Sequence, residues 1–211
     1  MKPQEIERKS MEIIEREMKI RGIPFREERE MAVVKRCIHT SADFDYGENL
    51  IFSSKAIERG TKALKEGVMI ITDTQMAAAG INKQAALQLG VEIQCFMGDE
   101  DVAEEAKQRQ ITRAAVSMEK AASLKKPVII ACGNAPTALL HLIHMIRNGM
   151  IDKKLLRLII GVPVGFVNVT EAKEALLATD LPYIIAKGRK GGSTIAAAIC
   201  NALLYDAAGL R

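Results

Sequence analysis

Five short apolar runs, spaced by segments of helical pattern, constrain this chain more than any other feature. They are Val68-Met-Ile-Ile-Thr-Asp73, Val91-Glu-Ile-Gln-Cys-Phe-Met97, Pro127-Val-Ile-Ile-Ala-Cys132, Leu156-Arg-Leu-Ile-Ile160 and Pro182-Tyr-Ile-Ile-Ala186. Runs without polar alternation suit strands buried on both faces. Their regular exchange with helical segments predicts βαβ units around a parallel sheet. The intervening helices are expected over Ser53–Glu66, Thr74–Leu89, a broken stretch to Leu124, Ala135–Asn148, Thr170–Ala178 and about Ser193–Tyr205. The expectation is an α/β fold: an open, doubly wound, mainly parallel sheet flanked by helices. An N-terminal helical extension precedes it. Ile6, Ser10, Ile13, Ile14 and Met18 give the first 21 residues an amphipathic spacing that Gly22-Ile-Pro24 stops. A second helix is expected from about Glu27 to Cys37, followed by a loop-like polar segment from His39 to Tyr46.

With 211 residues, 48% of them apolar, the chain suits one domain spanning 1–211. The formal net charge of +4 comes without a dense Lys/Arg block, which argues against a nucleic-acid partner. It is compatible with an anionic small ligand and equally with an ordinary solvated surface. Cys37, Cys95, Cys132 and Cys200 form no C-x-x-C pair, and a reducing compartment suits them. The charged N-terminus lacks the apolar core of a signal peptide, and no run reaches the ~18 residues of a membrane span. A cytoplasmic protein without membrane contact is expected.

Ligands of open α/β sheets bind beyond the carboxyl ends of the strands. Lys187-Gly-Arg-Lys-Gly-Gly-Ser193 follows the last run. Its glycines permit close backbone approach, the next helix offers free N–H groups, and Lys187, Arg189 and Lys190 add charge. An anion site is the favoured reading over a tight turn with solvated charges. Gly133-Asn-Ala-Pro-Thr137 is either a second such site or a simple helix entry. Gly161-Val-Pro-Val-Gly-Phe166 suits the wall of a flat apolar ligand, or a loop packed beneath a neighbour. No phosphate-binding G-x-x-x-x-G-K-[ST], dinucleotide fingerprint or G-x-S-x-G elbow is present. His141 and His144 share a helix face, but no local third ligand joins them, which favours packing over metal binding. His39, among Arg36, Thr40, Ser41, Asp43 and Asp45, suits a histidine whose proton is used, or one that caps a helix.

The segment Cys37-Ile-His-Thr-Ser-Ala-Asp-Phe-Asp-Tyr46 resembles the signature of the precorrin-8X methylmutases, including the cobalt-precorrin-8 methylmutases. Four further blocks resemble the same family in the same order. They are Asp73-Thr-Gln-Met76 with Gly80-Ile81, Gly133-Asn-Ala-Pro-Thr-Ala-Leu139, Gly161 to Asn168 with Glu171 and Lys173, and Gly188 to Ser193 with Asn201-Ala-Leu203. The resemblance spans essentially the whole chain. It implies an isomerase of corrin biosynthesis that shifts a methyl group from ring carbon 11 to carbon 12 of a tetrapyrrole. It also implies no cofactor, no protein-bound metal, and a homodimer with active sites near the interface. His39 matches the histidine held to protonate the macrocycle, and Ser10 and Arg113 match substrate-contacting positions. Arg36, Thr40, Gly133, Asn134, Gly165, Lys187, Arg189, Gly191 and Gly192 complete the expected contacts to the anionic tetrapyrrole. Two other classes stand beside this reading. One is a non-catalytic tetrapyrrole carrier with no need of His39. The other is an α/β transferase acting on a small anion.

Overall fold

A computed structural model describes residues 3–210, so the ends of the expected domain and the first two residues of the expected N-terminal helix lie outside the described residues. Each expected run contributes a strand to one sheet, and a sixth strand joins it. In chain order the elements are α1 (Pro3–Ile20), α2 (Glu28–Ser41), α3 (Tyr46–Asn49), β1 (Leu50–Phe52), α4 (Ala56–Lys65), β2 (Met69–Thr72), α5 (Gln75–Gly80) and α6 (Lys83–Gln88). They continue with β3 (Ile93–Gln94), α7 (Glu100–Arg109), α8 (Arg113–Ser123), β4 (Val128–Cys132), α9 (Pro136–Arg147), β5 (Leu156–Gly161), α10 (Val169–Leu177), β6 (Tyr183–Ala186) and α11 (Ser193–Ala208). The strand order is β1-β6-β5-β4-β2-β3. All neighbours are parallel except β1, which pairs antiparallel with β6.

Both faces of the sheet are covered, as the run pattern requires. Ile129 and Ala131 of β4 enter a core shared with α2, α4 and α11. Val128, Ile130 and Cys132 enter the opposite core with α8, α9 and α10. Helix α11 is largely apolar, and Ile195 to Cys200 are all buried against the sheet, α2, α4 and α5.

The structure departs from the sequence reading at four places. Strand β1 was not anticipated; its three residues sit at an edge and carry little pattern. The Val91–Met97 run yields only two strand residues, and its end folds into a 3-10 turn over Phe96–Gly98. The helix expected over Thr74–Leu89 breaks at Ile81. There Asn82 caps α6 through Gln84 N and Ala85 N, and Asn201 of α11 serves the severed backbone at Gly80 O and Asn82 N. Finally, α2 runs on to Ser41, so His39 lies in its last turn and not in a loop. The Thr40 and Ser41 hydroxyls bond back to the carbonyls of Arg36 and Cys37, and left-handed Ala42 (φ 55°) closes the helix on Ile38 O.

One buried carboxylate joins the central strands beyond their ends. Asp73, fully buried after β2, accepts the backbone N–H groups of Gly133 (2.8 Å), Asn134 (2.7 Å) and Ala135 (2.6 Å) after β4. Burial raises the carboxyl's pKa, against the pull of those three amides toward the charged form. An amide in its place would turn an N–H toward donors and leave a backbone N–H unserved. Asp73→Asn is therefore expected to cost about 3 kcal/mol of stability, read as a lowered urea midpoint. An unchanged midpoint would remove this tie from the fold's supports.

Candidate active site

The carboxyl ends of β2, β4, β5 and β6 open at one edge of the sheet, and antiparallel β1 begins there. Leu50 pairs with Ala186, and Lys187 N–H donates to Asn49 O at 2.8 Å. The segment from His39 to Asn49 is thereby seated beside the loop that leaves β6. That loop carries the cations of the sequence reading.

Close packing fixes the loop. A Cβ on Gly191 would stand 2.1 Å from Val162 O, so only glycine fits there. Gly192, at φ 127°, donates its N–H to the same oxygen at 2.9 Å and leads directly into α11. Behind it, a Cβ on Gly133 would lie 2.8 Å from Ser193 Cα, and the hydroxyls of Thr74 and Ser193 meet at 2.8 Å. The 133–135 turn and the start of α11 are thus packed back to back, which is why both need small residues. Beneath the loop, Lys173 of α10 is 1% exposed and donates to Gly188 O (2.7 Å) and Lys190 O (2.8 Å).

The sequence candidates fall into groups. His39 and Thr40 are exposed at the end of α2. Arg36, one turn earlier, pairs with Glu7 of α1 at 3.1 Å and lies over the Tyr205 ring at 5.3 Å. Ser10 stands one turn beyond Glu7, its hydroxyl bonded back to Ile6 O. Lys187 and Arg189 are exposed, and the Arg189 guanidinium lies 5.4 Å above the Phe166 ring. Gly165 donates its N–H to Arg189 O at 3.2 Å, which ties the apolar loop after β5 to the cationic one. Lys190 bridges back to α2's end by pairing with Asp43 at 2.6 Å and with Asp45. Those carboxylates raise the pKa of its ammonium. Burial lifts the Asp43 carboxyl, but its bonds to Lys190 and to the Asp45 amide outweigh that and hold it below the usual range. Arg113 opens α8, whose buried residues enter the core on the opposite face of the sheet from α2. Exposed Phe166, Val167 and Val164 line the rim with apolar surface.

His141 bonds Glu119 at 2.7 Å and stacks on His144 at 6.0 Å. Among the described residues no group of three or more His, Cys, Asp or Glu is placed to hold a metal ion. A cavity of about 710 Å³ lies at the other edge, where β5 and β6 begin, lined by Arg59, Lys62, Lys154 and Arg157 among others. It contains none of the expected site residues and lies where an open α/β sheet does not place its chemistry.

Asp73, Lys173 and Tyr46 support the site, yet none was singled out as a site residue from the sequence. A signal for Lys173 existed. It falls on the face of α10 shared by buried Val169 and Leu176, where a charge requires a partner. Burial lowers its pKa to about 8, whereas an unfolded lysine titrates near ~10.4. Between these values the unfolded chain binds a proton that the native protein has released, so this group's contribution to stability rises with pH across that window. Relative to Lys173→Met, the wild type is expected to gain on the order of 2–3 kcal/mol from pH 8 to above pH 10. Urea unfolding of both proteins at several pH values reads the difference directly, and a difference flat with pH would contradict it.

The geometry can now be set beside known proteins. A family model described as precorrin-8X methylmutase matches residues 5–206. A cobalt-precorrin-8 methylmutase of Priestia megaterium is 44% identical over 203 residues, covering 96% of this chain and 88% of the relative. One from Leptospira interrogans is 45% identical over 207 residues, covering 94% and 91%. The crystal structure of a precorrin-8x methyl mutase from Thermus thermophilus superposes with a TM-score of 0.86 at 37% identity, covering 97% of this chain and 98% of that one. With the family model matched over residues 5–206 and relatives 44% and 45% identical over nearly its whole length, this chain belongs to the precorrin-8X methylmutase family.

Proposed function

We propose that this protein moves a methyl group from ring carbon 11 to carbon 12 of precorrin-8 or cobalt-precorrin-8, giving hydrogenobyrinate or cobyrinate. The observation that carries the reading is the seating of His39's helix end beside the cationic glycine loop, through Lys187 N–H to Asn49 O and Lys190 to Asp43 and Asp45. The reaction is an isomerisation within one molecule. It needs no nucleophile and no redox partner, and any cobalt belongs to the substrate. His39 lends a proton to a ring nitrogen or carbon. The conjugated system becomes electron-poor, the methyl group migrates, and the proton is returned, so no net proton is consumed. General acid catalysis of this kind is worth about 10²–10⁴-fold. The remainder comes from holding the macrocycle in a reactive shape.

The ring's carboxylates are matched by Lys187, Arg189 and the loop amides, with Arg36, Thr40 and Ser10 on the α1–α2 side and Arg113 across the sheet. Gly133, Asn134, Gly165, Gly191 and Gly192 shape the backbone that the ring lies against. Exposed Phe166 and Val167 suit a flat apolar face, either the macrocycle's or that of a second subunit, and a homodimer with its sites near the interface fits this rim. We place the reaction in the cytoplasm. The four cysteines are free and buried, and among the described residues no helix is long and apolar enough to cross a membrane.

The test is the absorbance spectrum of the protein incubated with cobalt-precorrin-8 or its metal-free form. Wild type is expected to produce the corrin spectrum, and His39→Ala to slow that change by about 10²–10⁴-fold while still binding the ring. Equal rates would remove His39 as the acid, and binding without conversion by wild type would favour a carrier. Arg189→Ala is expected to raise KM about tenfold with kcat little changed, since its charge serves bound and transition states alike. An unchanged KM would take Arg189 out of the carboxylate site.

A further inference from the structure

A loop that takes carboxylates must keep its own carbonyl oxygens away from them. Between β6 and α11 each of four consecutive carbonyls, residues 188–191, has a donor inside the protein. Lys173 Nζ serves Gly188 O (2.7 Å) and Lys190 O (2.8 Å), the Gly165 amide serves Arg189 O (3.2 Å), and the Tyr46 hydroxyl reaches Gly191 O at 3.4 Å. A trans peptide sets each N–H opposite the carbonyl before it, and the chain contains no cis bond among the described residues. Turning these carbonyls inward therefore turns the amides of Arg189, Lys190 and Gly191 the other way. Those amides have no acceptor among the described residues. Three successive amides, of Arg189, Lys190 and Gly191, thus remain available to a ligand beside the Lys187 and Arg189 charges, while the fourth, of Gly192, is held by Val162 O.

Two of the four carbonyls depend on one side chain. Lys173 comes from a different element, is 1% exposed, and lies behind the loop and not on its open face. We infer that Lys173 is a positioning residue for the anionic substrate. By clamping Gly188 O and Lys190 O it holds the loop in the single orientation that presents amides and cations, and no carbonyl, to the ring's carboxylates. Without the clamp both part-buried carbonyls lose their donor. The peptide planes then rotate toward water, which brings negative oxygens to the ligand side. The acid His39 lies on another element and touches neither clamped carbonyl. The Lys187 N–H to Asn49 O bond, outside the clamped peptides, still seats its helix end, so the larger effect is expected on binding. This inference rests on the proposed function for the identity of the anion.

The test compares wild type, Lys173→Met and Tyr46→Phe for cobyrinate binding by equilibrium dialysis and for turnover of cobalt-precorrin-8. Lys173→Met is expected to bind cobyrinate about tenfold or more weakly and to raise KM in step, with kcat within about threefold of wild type. Tyr46→Phe, which loses the longest of the four bonds, is expected to shift binding in the same direction by about threefold. A folded Lys173→Met that binds as wild type does, or one that loses kcat at unchanged KM, overturns the inference. If Lys173→Met does not fold, unaltered binding by Tyr46→Phe overturns it instead. Wild type that neither converts nor binds would sink the proposed function, whereas wild type that does both while Lys173→Met matches it sinks only the clamp.

Discussion

The edge that carries the candidate site hangs on one buried carboxylate. Asp73 ends β2, and its two oxygens gather the three amides that follow β4. That grip fixes the 133–135 turn, against which the first residue of α11 packs with no room for a side chain on Gly133. The position of α11 sets where the preceding glycine loop must leave it. The loop in turn receives Asn49 and the two aspartates that follow His39. A chain of contacts thus runs from the buried Asp73 carboxylate to the end of the helix that carries His39. Burial makes the Asp73 links costly to break, whereas the Lys190 pairs with Asp43 and Asp45 lie at the surface and hold more weakly.

Much of the fold was legible because strands buried on both faces announce themselves as unbroken apolar runs. Val128 to Cys132 reads as a strand and is one, every residue of it buried. Short or edge elements were legible only in part. Leu50-Ile-Phe52 needs only to pair with β6 and carries no pattern, whereas the Val91–Met97 run reads as a strand of which only Ile93-Gln94 joins the ladder. The break after Gly80 is set by Asn201, more than a hundred residues away, which no local rule anticipates. His39 was read into a loop because its neighbours are polar. Polar residues also end helices, however, and Thr40 and Ser41 stay helical by bonding back to the preceding turn.

The candidate site divides along the same line. Residues that present charge or backbone to a ligand were readable, because glycines and cations directly after a strand have few other uses. Residues that act through another part of the chain were not. Lys173 shares the buried face of α10, which marks it as needing a partner, but the partners are the main-chain oxygens of Gly188 and Lys190, and a backbone acceptor leaves no mark on the sequence. The five blocks of family resemblance map onto this edge: the end of α2, the turn after β2, and the loops after β4, β5 and β6 with the helices they enter. The fold therefore gathers at one end of the sheet blocks that the sequence separates by strands and helices.

Hydrogen exchange read by mass spectrometry, with and without cobyrinate, tests most directly that this edge is where the macrocycle lies. Protection is expected in the segments 37–46, 162–168 and 187–193, with little change where β5 and β6 begin. Protection confined instead to 59–66 and 153–157, around the basic cavity at the opposite edge, would contradict the placement of the site and the role of His39 with it.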